Sequence, residues 1–179
     1  GIVRAHLARM GEAAEVAPQS DILGAAAPGA VRVRHALPEG ASATVVIPTR
    51  DRLDLLRPCL DSLEAHRAAN RCVMRVVVVD HLSQEAETRA LLMERQAAGQ
   101  IEVLPYDGEF NWALMNNLAA AQSDDDVLVF LNNDTVVISP DWLDALAAQA
   151  LRPGVGAVGA RLVYQDGAIQ HAGMVARPR

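Results

Sequence analysis

The sequence has 179 residues, enough for one ordinary domain with a buried core and too few for a multidomain assembly. Apolar residues make up 51% and charged residues 21%, a globular composition, while the 3% aromatic share leaves little for base-stacking platforms or aromatic sugar cradles. With 16 basic and 22 acidic residues the net charge is −6, so the positive field of a nucleic-acid-binding domain is missing and no nucleic-acid partner is expected.

In chain order, residues 1–40 mix Ala, Gly, Pro and scattered charges and read as a lead-in with little regular structure. At most they hold a short helix near Ile2 to Met10 and an extended Val31 to Arg34. From residue 41 to 179 the pattern becomes one of short β-branched runs separated by helical stretches. Thr44 to Ile47, Val76 to Val79 and Val127 to Leu131 are continuous apolar strands, expected to be buried on both faces. Leu53 to His66 repeats Leu56, Cys59, Leu60 and Leu63 at helical spacing, and a second helix is expected over Ser83 to Ala98. A third is expected over Trp112 to Gln122, and a fourth over Pro140 to Leu151 with Ser139 as its N-cap. Val155 to Ala160, Arg161 to Tyr164 and Ile169 to Val175 read as further strands, with a turn at Gln165 to Gly167. Alternation of strand and helix predicts an α/β fold on a mostly parallel sheet.

Every basic residue is Arg, which excludes a P-loop lysine and a Schiff-base lysine within this sequence. Cys59 and Cys72 form no CxxC pair, so a disulfide framework and a Cys-rich zinc site are not indicated and a reducing, cytoplasmic setting is expected. The apolar runs are shorter than a membrane span, and the start lacks a signal-peptide pattern. The sequence begins at Gly1 and stops at Arg179 straight after an apolar run, as a piece of a longer protein would.

Ligands of open α/β sheets bind outside the carboxyl ends of the strands. Three polar clusters fall there: Pro48-Thr49-Arg50-Asp51-Arg52, Asp80-His81, and Asn132-Asn133-Asp134-Thr135. Arg50 or Arg52 offers a planar fork for phosphate oxygens, Asp80 an acceptor for a base or ribose, and Asp134 a carboxylate for a hard divalent cation bridging to a diphosphate. Taken singly, Asp80 and Asp134 are equally open to a turn-forming role, and Arg50 and Arg52 read as solvated helix-entry charges; it is the convergence of the clusters that points to a ligand. Asp124-Asp125-Asp126 precedes its strand, at the wrong end of the sheet, and reads as a solvated turn. His171 is open to a structural and an acceptor-side reading. Gly154-Val-Gly-Ala-Val-Gly159 matches a dinucleotide fingerprint, but it follows a helix and precedes a β-rich stretch, the reverse of what that fingerprint requires.

Ala43-Thr-Val-Val-Ile-Pro-Thr-Arg-Asp-Arg52, Val76-Val-Val-Val-Asp-His-Leu-Ser83 and Val129-Phe-Leu-Asn-Asn-Asp-Thr135 resemble family 2 glycosyltransferases. With Phe110-Asn-Trp-Ala-Leu-Met-Asn-Asn117, Ser139-Pro-Asp-Trp-Leu143 and Ile169-Gln-His-Ala-Gly173, the likeness is to the rhamnosyltransferase-like members of bacterial surface-polysaccharide synthesis. The resemblance runs from about Ala43 to the C-terminus and implies a GT-A fold, with residues 41–179 as the donor-binding part. It implies inverting transfer of a sugar from a UDP-, dTDP- or GDP-sugar to a glycan or lipid-linked acceptor. The cofactor implied is Mg²⁺ or Mn²⁺, and the membrane is involved only indirectly, at its cytoplasmic inner face.

The residues it assigns to the nucleotide-sugar are Pro48, Thr49, Arg50, Arg52, Asp80, Asn116, Asn117, Asn132 and Asn133, with Asp134 as the metal ligand and His171 on the acceptor side. Asn132 replaces the first acid of the family's DxD motif, leaving one carboxylate for the cation, and Asp80-His-Leu-Ser83 replaces the more usual Asp-Asn-Gly-Ser. The catalytic base of the family lies beyond the DxD strand and is expected past Arg179. A non-catalytic nucleotide-sugar-binding module of a larger synthase is the alternative.

Overall fold

The computed structural model describes residues 1–19, 21–22 and 25–173. The chain divides into two compact units, Glu39–Ala147 and the pair of segments Gly1–Pro38 with Ala148–Arg179.

The unit of residues 39–147 is built on a four-stranded parallel sheet. In chain order its elements are β5 (Ser42–Thr49), α2 (Leu53–Arg67), β6 (Val73–Asp80), α3 (Ala86–Ala97), β7 (Glu102–Pro105), α4 (Trp112–Ala120), β8 (Val127–Phe130) and the start of α5 (Trp142–Ala150). The strand order is β7-β6-β5-β8, so the chain steps outward from β5 through β6 to β7 and then returns to the other side of β5. All pairings are parallel, with Thr49 opposite Asp80 and Val46 opposite both Val77 and Phe130. A parallel sheet is covered on both faces, which is why the centres of β5 and β6, Val45–Ile47 and Val76–Val79, are unbroken apolar runs. On one face Val46, Val77 and Val79 pack with Met115 and Ala119 of α4 and with Tyr106. On the other, Val76 lines a small void with Leu60 and Leu63 of α2, Arg95 of α3 and Ile101.

Within this sheet β7 is the strand that sequence reading misses, a four-residue edge strand ending in Pro105 whose only ladder partner among the described residues is β6. α2 and α4 start at Leu53 and Trp112 as expected, whereas α3 and α5 begin later. α3 starts at Ala86, not Ser83, because the backbone N–H groups of Ser83, Gln84 and Glu85 are held by the Asp80 and Asp51 carboxylates. α5 starts at Trp142, and the N-cap role expected of Ser139 falls to a distant residue. Asn70 Oδ1 accepts from the N–H groups of Leu143 and Asp144 at 3.0 and 3.1 Å, while its Nδ2 donates to the carbonyls of His66 and Pro140. Asp144 returns the contact by accepting from the N–H groups of Arg71 and Cys72.

The triple aspartate lies at the amino end of the sheet as expected, but two of its members are engaged. Asp126 accepts from Ser42 N at 3.0 Å, and Asp125 and Ser123 hydrogen-bond the buried hydroxyl of Thr44. These contacts clamp the starts of β5 and β8 together.

In the second unit, α1 (Ile2–Arg9) is followed by β1 (Ala14–Pro18), which pairs antiparallel with β4 (Val31–His35). Between them β2 (Asp21–Ile22) pairs with β3 (Ala25–Ala26). The segment is more regular than its Ala, Gly and Pro content suggests, because the expected extended run finds a partner in β1. Glu12 joins the ends of this unit through an ion pair to Arg152 at 2.6 Å and a 3.0 Å contact with His35 Nδ1. A hairpin of β9 (Leu162–Val163) and β10 (Ile169–His171) is present where strands were expected, shorter on both sides, and residues 174–175 lie outside the described residues. No strand forms over Val155–Ala160, where Gly156 and Gly159 weaken an exposed segment that lacks a ladder partner. Among the described residues no helix is long and apolar enough to cross a membrane.

Asn70→Ala is expected to lower stability by about 1–2 kcal/mol through loss of the α5 cap, while Ser139→Ala stays within about 0.5 kcal/mol; urea unfolding of both variants checks the assignment. Burial pushes the Cys59 thiol from 9.0 up to about 12, with Asp134 adding to the shift, and burial with Asp144 pushes Cys72 up to about 11. The folded state therefore keeps protons that the unfolded chain releases above pH 9.0, so this contribution is intact below pH 9.0 and lost as pH rises toward about 11 to 12. Both buried thiols are expected to resist a disulfide reagent at pH 8 in the native protein and to react on unfolding.

Candidate functional site

The carboxyl ends of β5, β6 and β8 meet at one edge, and the loops that leave them are tied to one another. The ladder between β5 and β6 extends one step past the strands through His81 N donating to Thr49 O at 2.8 Å. Thr49, buried, accepts at its hydroxyl from Asn133 Nδ2 at 2.9 Å, which joins the end of β5 to the loop after β8. That bond crosses the gap where the strand order reverses, the position at which open α/β sheets leave a crevice for ligand.

The loop after β5 turns sharply into α2, with Asp51 and Arg52 both in the left-handed region at φ 54° and 57°. Asp51 is among the few side chains that tolerate it. Its carboxylate accepts from Gln84 N at 2.6 Å and Glu85 N at 2.8 Å, and its own N–H donates to Ser83 Oγ at 2.8 Å. Ser83 Oγ in turn donates to Asp80 Oδ1 at 2.5 Å. The Asp51–Ser83–Asp80 chain fixes both loops and leaves the second oxygen of Asp80 for other partners. Leu82, exposed, also adopts a positive φ of 53°, a conformation that glycine takes without strain.

The expected residues divide by environment. Arg50 and Asp134 are exposed, and among the described residues neither has a hydrogen bond or ion pair. Arg52 instead forks onto Asp54, Nε to Oδ1 at 3.0 Å and Nη2 to Oδ2 at 2.8 Å, as a helix-entry pair that raises the guanidinium pKa and lowers that of the carboxyl. Pro48 is a strand residue opposite Val79, half-buried. Asn132 is exposed in the turn closed by Thr135 N to Asn132 O, and Asn133 is half-buried. Asn117 is exposed, but its neighbour Asn116 is 2% exposed; its Nδ2 donates to Trp112 O and its Oδ1 is buried without a partner. His171 is half-buried in β10 of the other unit. Gly154–Gly159 forms a loop after α5, not a strand-to-helix turn. Among the described residues no group of three or more His, Cys, Asp or Glu side chains is placed to hold a metal.

Sequence reasoning passed over Asp51, Ser83 and His81. All three sit within the quoted motifs, yet only the packing of the β5 and β6 loops reveals that Asp51 and Ser83 bond each other. His81, 6% exposed, points to the α4 face, its Nε2 2.9 Å from Gly108 O and its ring centroid 5.4 Å from that of Tyr106 and 6.0 Å from that of Phe110.

A parallel sheet whose Thr-Arg, Asp and Asn-Asn-Asp loops gather at one edge, beside the reversal of strand order, has the architecture of the GT-A nucleotide-diphospho-sugar transferases. The sequence profile of Glycosyl transferase family 2 matches residues 44–174, and the chain belongs to that family. It is 42% identical over 170 residues to the O-antigen biosynthesis protein RfbC of Myxococcus xanthus, and 41% identical over 133 residues to the uncharacterized protein y4gI of Sinorhizobium fredii. Those matches take in 95% and 74% of this chain but only 12% and 14% of the two relatives' lengths. Among solved structures, a mannosyltransferase from Pyrobaculum calidifontis in complex with GDP-Man and Mn²⁺ shares the fold with a TM-score of 0.53 at 18% identity, over 85% of this chain and 40% of that one.

Replacing Asp51 separates its two roles. Asp51→Asn keeps an acceptor and tolerates the left-handed backbone, Asp51→Gly keeps only the backbone, and Asp51→Ala keeps neither. Stability is expected to fall in that order, with Ala lower than Gly by about 1 kcal/mol. Equal losses for Gly and Ala in chemical denaturation would contradict the backbone argument.

Proposed function

We propose that this chain is the donor-binding part of a glycosyltransferase that moves a hexosyl or rhamnosyl group from a nucleotide-diphospho-sugar to a glycan or lipid-linked acceptor of a cell-surface polysaccharide, with inversion. The observation that supports the reading most is the Thr49–Asn133 bond, which ties the end of β5, next to Arg50, to the loop after β8 that carries Asp134. Family membership and the naming of a relative for O-antigen biosynthesis support it.

In this reading the second oxygen of Asp80 accepts from the nucleoside, and the guanidinium of Arg50 pairs with the diphosphate. Thr49 and Asn133, bonded to each other, hold the two loops at the width of the ligand. Asn132 and Asn117 line the rim, while Pro48, Arg52 and Asn116 act on the pocket indirectly, through the loop and helix they belong to. A divalent cation, Mg²⁺ or Mn²⁺, fits the donor set only with help from the ligand. Asp134 is one exposed carboxylate, so the remaining positions fall to diphosphate oxygens and water, a coordination that Mg²⁺ accepts. The cation would offset the charge of the leaving nucleotide diphosphate. Asp134, carried by the loop after β8, orients that end of the ligand. A base that deprotonates the acceptor hydroxyl is not assigned to the described residues, and a cytoplasmic setting is part of the proposal.

The test is thermal unfolding with UDP, dTDP and GDP, each with Mn²⁺, Mg²⁺ or EDTA. A ligand at about 100 times its Kd stabilises the folded state by about 2.7 kcal/mol, a rise in Tm of roughly 5–10 °C for a chain of this size. One nucleotide is expected to give that rise in the presence of metal, with Asp134→Ala abolishing the metal dependence and Arg50→Ala weakening binding with or without metal. No rise with any nucleotide in folded protein would sink the reading.

A further inference from the structure

The sequence has two Trp, two Tyr and two Phe, and four of these six gather at one place. Tyr106 follows β7, Phe110 and Trp112 flank the start of α4, and Phe130 ends β8. Phe110 is 71% exposed, Trp112 47% and Phe130 48%. Asn111 between the first two is extended, φ −145° and ψ 100°, so Phe110 and Trp112 project to the same side, about 7 Å apart along the chain. Both rings are supported. His81 lies beneath Phe110 and is itself pinned to Gly108 O, and Trp112 packs edge-on against Phe130 with centroids 6.4 Å apart. Tyr106 OH donates to Glu109 O at 2.6 Å and so holds the same loop.

Solvent-facing aromatics held rigidly by a hydrogen-bonded loop are a surface for stacking. What stacks there is decided by charge. Residues 105–120 contain Asp107 and Glu109, both exposed, and no basic residue. Two carboxylates beside the rings repel a nucleotide diphosphate and accept hydrogen bonds from hydroxyl groups. A neutral pyranose combines the two needs, with C–H bonds along one ring face for the aromatic quadrupole and hydroxyls around the edge for the carboxylates. The location agrees. Asp80 and His81 are consecutive at the end of β6 and point to opposite faces, so the rings border the crevice from the side away from the Asp80–Ser83–Asp51 network. An inverting displacement brings the acceptor in opposite the leaving diphosphate.

We infer that Phe110 and Trp112, backed by Phe130 and His81, form a stacking platform for a neutral sugar ring of the acceptor, with Asp107 and Glu109 receiving its hydroxyls. The inference rests on the proposed glycosyltransferase reading and narrows its acceptor to a neutral glycan.

The experiment is saturation-transfer NMR on the full chain with four probes, the methyl glycosides of glucose, mannose, galactose and rhamnose, run alongside the nucleotide thermal shift. Transfer is expected to the C–H protons of one face of at least one glycoside. Trp112→Ala and Phe110→Ala should weaken it on the order of tenfold each, the size of one lost aromatic face, while Trp112→Phe restores it and the nucleotide shift is kept in all three. Asp107→Asn with Glu109→Gln should weaken it without changing the stacked face. No transfer from any of the four, or transfer that survives removal of both rings, overturns the platform. Displacement of the glycoside by nucleotide alone also overturns it, because the rings would then belong to the nucleoside. Trp112-dependent transfer with no nucleotide shift in any form supports the platform and counts against the donor site instead.

Discussion

The structure hangs on β5, which is bonded in parallel to a neighbour on each side. A strand in that position can leave neither face to water, so the centre of Ser42–Thr49 is apolar, the strand is covered above and below, and the buried hydroxyls of Thr44 and Thr49 are hydrogen-bonded. Its register then dictates the rest. Pairing Thr49 with Asp80 and Val46 with Phe130 puts the polar ends of three strands at one edge and their beginnings at the other. The two edges are treated differently. At the amino edge Asp125 and Asp126 are consumed in clamping β5 to β8. At the carboxyl edge the loops are braced against each other while Arg50 and Asp134 stay free among the described residues.

That bracing explains how a site can be both rigid and open. Asp51 and Ser83 spend their hydrogen bonds on backbone and on Asp80, so the positions of the loops after β5 and β6 are set before any ligand arrives. The alternation of a strand divides the edge once more. Asp80 joins the polar network on one face and His81, the next residue, anchors an aromatic loop on the other. One strand end thus presents two environments, one polar and one aromatic, on opposite faces of the sheet.

The central strands were legible because parallel burial leaves an unmistakable mark, a run of Val and Ile with no polar alternation. The ligand edge was legible for a related reason, since polar residues directly after such runs must fall at the carboxyl ends. Other elements were not. β7 is four residues long and ends in proline, too short to carry a period. The cap of α5 comes from Asn70, a residue 73 and 74 positions from the two groups it caps, whereas local reasoning could only nominate Ser139. Val155–Ala160 has strand-like composition and no partner, and β1 has poor strand composition and a good partner in β4. In each case the deciding term is a hydrogen-bond partner far away in sequence.

Composition alone pointed away from aromatic recognition, since the aromatics are so few, yet the fold concentrates four of the six on the α4 side of one sheet edge. The sequence by itself determined the class of fold, the family and which polar residues fall at the carboxyl ends of the strands, because apolar periodicity and strand-end motifs are local and survive without coordinates. The tertiary structure decided which of those residues are spent and which are free. Arg52 is taken by Asp54 and Asn116 is buried in its own helix, while Arg50 and Asp134 remain unpaired among the described residues. Such a division depends on distances between loops that only the packed sheet brings together.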